Sequence, residues 1–286
     1  MARGREAAKT AWVLLVAASL ALGCKRKQDA PDVQDPPDDD TAFAQAGSDA
    51  AAAETDAQLI TSSLVSSSPG GIGLESADLA GGDLGTREIG AGARAIYFPR
   101  GCLQVQNDPG TQTATYTFDH CMGPNGLRSV TGEVKAKYQG TADRLHLELT
   151  GTDLSVNGAT LDWSSVADVT ANGADRTMAW RAQLSGTTAG GRAFTRTNQH
   201  TTSWTLGEPC FALEGWSEGQ IRAREIRTEI SSFRRCRRSC PDAGGTIAIT
   251  NVTNGKRIEL HYDGTNRATF VDPKGNEVTV PLLCAP

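Results

Sequence analysis

Metal-ligand pairs are missing from this chain of 286 residues: its four histidines, His120, His146, His200 and His261, are scattered, and none stands in an H-E-x-x-H or other i,i+4 arrangement. C-x-x-C is absent as well, which removes the dithiol redox motif and the paired cysteines of a zinc site. Basic excess is missing too. Three cations (Lys25, Arg26, Lys27) precede nine acids between Asp29 and Asp56, and the chain beyond Asp56 is close to neutral. No face is therefore basic enough to displace counterions from a nucleic acid. The longest apolar run, Ala11 to Leu22, is too short for the ~20 residues of a membrane-spanning helix. Nothing in the composition asks for a cofactor.

What is present begins with that short run. Arg3, Arg5 and Lys9 precede it and Gly23 ends it, the three-part layout of a secretory signal over residues 1–23. Ala21-Leu22-Gly23-Cys24 resembles the lipobox of bacterial lipoproteins, with Ala21 where Leu is usual. The resemblance implies that Cys24 becomes the first residue, carries lipid (a diacylglycerol and an amide-linked, palmitate-type chain) and holds the protein on a membrane. Lys25, where Asp would signal inner-membrane retention, implies an outer-membrane lipoprotein of the cell envelope, periplasmic or surface-facing. Parity agrees: of seven cysteines, lipidating one leaves six that can pair.

Residues 24–90 read as the lipidated cysteine and a flexible tether. Gln28 to Asp40 is acidic and Pro-rich, an Ala-rich part comes next, and Ser-Pro-Gly-Gly and Gly-Gly interrupt any period, leaving a short helix at 57–65 as the one weak exception. Residues 91–286 then alternate. Ala114, Tyr116 and Phe118 alternate with threonines, Val134, Ala136 and Tyr138 with charged residues, and Met178, Trp180, Ala182 and Leu184 with polar ones. Period two means strands with one buried and one wet face, arranged antiparallel. Asp108-Pro109-Gly110, Asn157-Gly158, Asn172-Gly173, Asn254-Gly255 and Asp263-Gly264 supply the turns. A dozen or more strands and no firm helix predict an all-β fold: one antiparallel multi-stranded domain with disulfides, built as a sandwich, a roll or a bent sheet. Gln220 to Arg235 fits both periods, and its β flanks favour strand.

Cys102, Cys121, Cys210, Cys236, Cys240 and Cys284 allow 15 pairings. Cys102 and Cys121 flank a hairpin turning at Asp108-Pro109-Gly110. Cys210 and Cys236 flank one expected to turn near Gly215 to Gly219. Cys240 and Cys284 would clip the ends of the last meander. Cys102 to Gly132, with Tyr116-Thr117-Phe118 and Gly123-Pro124-Asn125-Gly126-Leu127, resembles a module of uncharacterised predicted lipoproteins of the myxobacterial type. So does the ending, from Phe233-Arg234-Arg235-Cys236 through Cys240-Pro241 to Leu282-Leu283-Cys284. That resemblance implies β structure and an envelope location, and no activity.

Gly215-Trp216-Ser217-Glu218-Gly219 matches the G-x-S-x-G of a nucleophile elbow, with Asp242 or Asp263 and His261 later in the chain. A serine hydrolase using Ser217 is thus the alternative function. The elbow belongs to a parallel α/β sheet, however, and a glycine-bounded hairpin tip explains the same residues. Trp204 shares its strand with polar Arg196, Asn198 and His200, so that face, with Phe194, is the candidate binding surface. Arg234 and Arg235, beside Arg237 and Arg238, add a basic cluster able to meet phosphate groups. The expectation is a non-catalytic envelope lipoprotein, a binding or structural module for an apolar or glycan ligand or for an envelope protein partner.

Overall fold

The computed structural model describes residues 40–66, 91–123, 127–140, 144–205, 208, 210–236, 239–282 and 284; Cys24 and its lipobox lie outside them. The alternating segments form a single thirteen-stranded sheet in which each strand pairs with its sequence neighbours. The strands are β1 (Leu103–Asp108), β2 (Thr113–Cys121), β3 (Val130–Gly140), β4 (Arg144–Val156), β5 (Ala159–Asn172), β6 (Asp175–Thr187) and β7 (Ala193–Thr205), then β8 (Cys210–Ile221), β9 (Arg224–Cys236), β10 (Thr246–Asn251), β11 (Arg257–Tyr262), β12 (Arg267–Val271) and β13 (Glu277–Pro281). All pairings are antiparallel, so the all-β class is as expected, in its bent-sheet form. The disulfides are Cys102–Cys121, Cys210–Cys236 and Cys240–Cys284.

Burial alternates along the strands as their sequences do: in β5, Leu161, Trp163, Ala167 and Val169 face inward, and in β6, Met178, Trp180, Ala182 and Leu184. A flat sheet of this many strands would be about 58 Å wide at ~4.8 Å per strand, and twisted sheets of more than ~10 strands rarely stay open without curling. The sheet bends instead, and what it bends around corrects the sequence reading. Residues 40–66, expected to be mostly flexible tether, form a helix, α1 (Asp40–Ser66), that lies against the inner face. It touches β4, β5 and β9, and its Gly47 packs on Ile249 of β10. At 27 residues and about 1.5 Å per residue the helix is about 40 Å long, enough to cross the strands from β4 to β10.

The physical reason is a stripe hidden in the alanines. Ala53, Ala57, Ile60 and Leu64 recur at i, i+4, i+7 and i+11, all buried in the main core, with Phe43 two turns and more upstream. Alanine is the best helix former, and its small side chain lets the helix backbone approach the sheet closely. The domain therefore begins at or before Asp40 rather than at residue 91. A second short helix, α2 (Ala91–Ile96), packs near β1, and the Arg94 guanidinium donates to the Val105 carbonyl (3.2 Å), covering part of that edge. At the other edge, the Leu282 N–H bonds back to Asn266 (2.8 Å). By the antiparallel alternation Pro281 then points its backbone off the sheet, where a missing N–H costs nothing and offers an added strand less.

A second correction concerns the Gly-x-Ser-x-Gly stretch. It is not a hairpin tip: β8 runs through it, and the turn to β9 lies at Arg222-Ala223. Gly215 (φ 145°) and Gly219 (φ 154°) take backbone conformations that side chains disfavour. A Cβ would stand 2.2 Å from the Gln199 carbonyl oxygen and 2.1 Å from that of Thr195, respectively. Both glycines are thus required by close approach of β7. Gly219→Ala should lower stability by about 3 kcal/mol, read from the urea midpoint at unchanged m-value.

Candidate functional site

Strand β7 turns polar side chains to both of its faces. Its inward positions carry Phe194, Arg196, Asn198 and His200, every one of them buried. Arg196 has no exposed side-chain surface and is tied on all sides. Its Nε donates to Glu54 of α1 (2.5 Å), Nη1 to the Ile226 carbonyl, and Nη2 to the hydroxyls of Ser217 (2.6 Å) and Thr228 (3.1 Å). The ion pair is thus a joint between helix and sheet. Gln58 adds a weaker tie to Thr202 (3.4 Å), and Ser63 shares a hydrogen bond with Tyr97 (2.7 Å).

This geometry assigns Ser217 a packing role. Its hydroxyl is fully buried on the inward face of β8 and accepts from Arg196. His261 bonds Glu259 (2.7 Å), Asp242 accepts from Arg234 (2.6 Å) and Asp263 accepts from Thr265 (2.8 Å), so each expected triad partner is engaged elsewhere. The other proposed surface residues are not brought together either. Phe194 is 3 % exposed, and Trp204 sits ten residues along β7, about 33 Å away in an extended strand. The Arg235 Nε donates to the Ser239 carbonyl (3.1 Å), while Arg237 and Arg238 lie outside the described residues. His146 bonds Asp168 (2.6 Å) on the outer face. Among the described residues no three His, Cys, Asp or Glu side chains group as a metal site, and no helix is long and apolar enough to cross a membrane.

Sequence reasoning missed the depression on the outer face. Where β4, β5, β6, β7 and β8 bend together, a groove of about 720 Å³ opens. Its floor is a cross-strand row, Thr150, Ser164, Gln183, Thr197 and Glu218, each opposite the next in register. Thr152, Asp162, Ser185 and Thr195 form a second row beside it. The bend has local causes: a register shift between Gly151 and Leu154, positive φ at Asp153 (50°) and Gly186 (149°), and Gly219. Bulges of this kind sharpen twist and curvature. The groove holds hydroxyls, one amide and carboxylates. Glu218 is held by Arg227 (2.8 Å), and the Asp162 Oδ1 accepts from the Asp153 N–H (2.7 Å). Only the alternation itself, polar on the outward phase of five consecutive strands, could have signalled it.

One acid bears on α1 directly. Burial pushes the Asp56 carboxyl up to about 7, against the opposing hydrogen bond from the Asn157 amide (2.8 Å). The docked helix therefore keeps a proton that a released helix loses above the ordinary value of 3.8. Docking is fully favoured below that value, weakens as pH rises toward about 7, and levels off beyond, with a slope of up to about 1.4 kcal/mol per pH unit. His200 acts in the opposite sense, because burial lowers its pKa from 6.5 and the folded state resists its protonation in acid. Protection factors of the 40–66 amides should fall between about pH 4 and pH 7 and level off above. In Asp56→Asn that fall should vanish.

Compared with family models, curated proteins and solved structures, the chain matches none of them.

Proposed function

We propose that this chain is a non-catalytic cell-envelope lipoprotein, anchored through acylated Cys24 to the outer membrane, whose β domain binds a hydroxyl-rich ligand, a glycan, in the outer groove. The groove across β4 to β8 carries the reading. Vicinal sugar hydroxyls both donate and accept, and the lining offers matched partners: Thr and Ser hydroxyls, the Gln183 amide, and Asp162, a strong acceptor. Trp163 and Leu184 add apolar surface to the lining, and multivalent presentation on a membrane would raise the affinity further.

Nuclear magnetic resonance titration of the acylation-free Cys24→Ser chain with neutral oligosaccharides is the test. The expected result is shifts confined to groove residues, with affinity lowered about tenfold in Gln183→Ala/Thr197→Ala, whose outward side chains leave the core intact. A panel that perturbs no groove resonance sinks the reading. The anchor is checked separately: the wild-type protein should fractionate with membranes and Cys24→Ser should not.

A further inference from the structure

The inner face holds more polar capacity than α1 uses. Asn198 leaves both its amide nitrogen and its oxygen without a partner, His200 leaves Nδ1, and Trp180 leaves Nε1, although all three residues are at least 96 % buried. They are neighbours: Trp180 pairs with His200 in register and stacks on it (ring centroids 5.8 Å apart), and Asn198 is the next inward residue of β7 toward Arg196. A buried polar group left unpaired is costly, and native interiors keep few of them. Three in one patch, beside a guanidinium whose only anion among the described residues comes from the helix, describe a receptor filled by a partial substitute. The surrounding inner face is apolar, with Leu149, Ala167, Met178 and Trp180.

We infer that Glu54 stands in for the carboxylate of a fatty-acid-like amphiphile, which binds Arg196 with its head beside Asn198 and its chain along the inner face when the N-terminal half of α1 lifts away. One buried cation does not hold two buried anions, so ligand and Glu54 compete. The helix is suited to opening from that end. Its C-terminal half is fixed by Ile60, Leu64 and the Ser63–Tyr97 bond. This site lies on the face opposite the hydroxyl-lined row and does not depend on the glycan reading.

A disulfide lock tests it in the full chain. A Cβ built on Gly47 lies 3.9 Å from the Ile249 Cβ, within the range of a disulfide, so Gly47→Cys/Ile249→Cys pins the N-terminal half. Binding of oleate, with oleyl alcohol as the uncharged control, is followed by calorimetry and native mass spectrometry. Expected results are oleate binding at least tenfold tighter than the alcohol, loss of at least tenfold in the oxidised lock with recovery on mild reduction, and tighter binding in Glu54→Gln, where the competitor is gone. A structural role for Glu54 alone predicts weaker binding or none in that variant. Equal binding with the lock closed or open overturns the proposal, as does absence of oleate binding by the unlocked chain.

Discussion

Replacing Arg196 with Met should destabilise the protein by about 3–5 kcal/mol, one of the largest effects of any single substitution in this chain. The guanidinium is fully buried and links Glu54, Ile226, Ser217 and Thr228, so its loss strands a buried carboxylate and two hydroxyls together. The sign of the double variant is the sharper test. Glu54→Leu/Arg196→Met removes both charges, and apolar replacement of a buried pair is often neutral or stabilising. It should recover most of the loss, giving a coupling energy well above the 0–1 kcal/mol of an exposed pair. Urea unfolding of the four proteins in the cycle measures it. A double variant as unstable as Arg196→Met alone would mean that the pair is not what joins helix to sheet.

Deleting residues 40–66 should do more damage still. A flexible tether is dispensable, and a helix in the core is not. Without α1 the inner face loses Phe43, Ala53, Ala57, Ile60 and Leu64, and Arg196 loses its counter-charge. Burying one large aliphatic or aromatic side chain contributes about 1.5–3 kcal/mol, so three such residues and a broken ion pair together match most of the about 5–15 kcal/mol by which ordinary domains are stable. The truncated chain should therefore unfold without a cooperative transition, bind 1-anilinonaphthalene-8-sulfonate and aggregate through its bared apolar face. A truncated domain that melts within a few degrees of the full one would remove α1 from the core.

Legibility in the sequence followed the period of the pattern. Strands such as β5 and β6 alternate cleanly because a one-sheet domain with one wet face demands it, and Asn-Gly or Asp-Gly marks several of the turns that join them. The Cys102–Cys121 and Cys210–Cys236 pairings follow from strands that are neighbours in sequence and so neighbours in space, and Cys240–Cys284 from the last meander, whose two ends it joins. Helix α1 was obscured because Ala53 and Ala57 count little as hydrophobic residues, yet at a close contact a small side chain is what packing requires. Gly215 and Gly219 read as turn residues by composition, but their cause is the approach of the β7 backbone. The buried polar set on β7 read as a wet strand face, since a sequence without its partner helix carries no sign that Arg196 meets Glu54, 142 residues away. A strand polar on both phases among strands that alternate is the signal for such a set.

With the anchor proposed at Cys24, the docked helix would also set how far the domain stands from the lipid surface. From Cys24 to Asp40 there are sixteen residue steps, about 55 Å when fully drawn out. A chain held at Cys24, as we propose, can raise its sheet no higher than that while α1 is seated. Freeing the helix as far as Glu54 adds fourteen steps and nearly doubles the limit, to about 100 Å. Occupancy of the inner face would then be readable at a distance, as the height at which the outer groove is displayed.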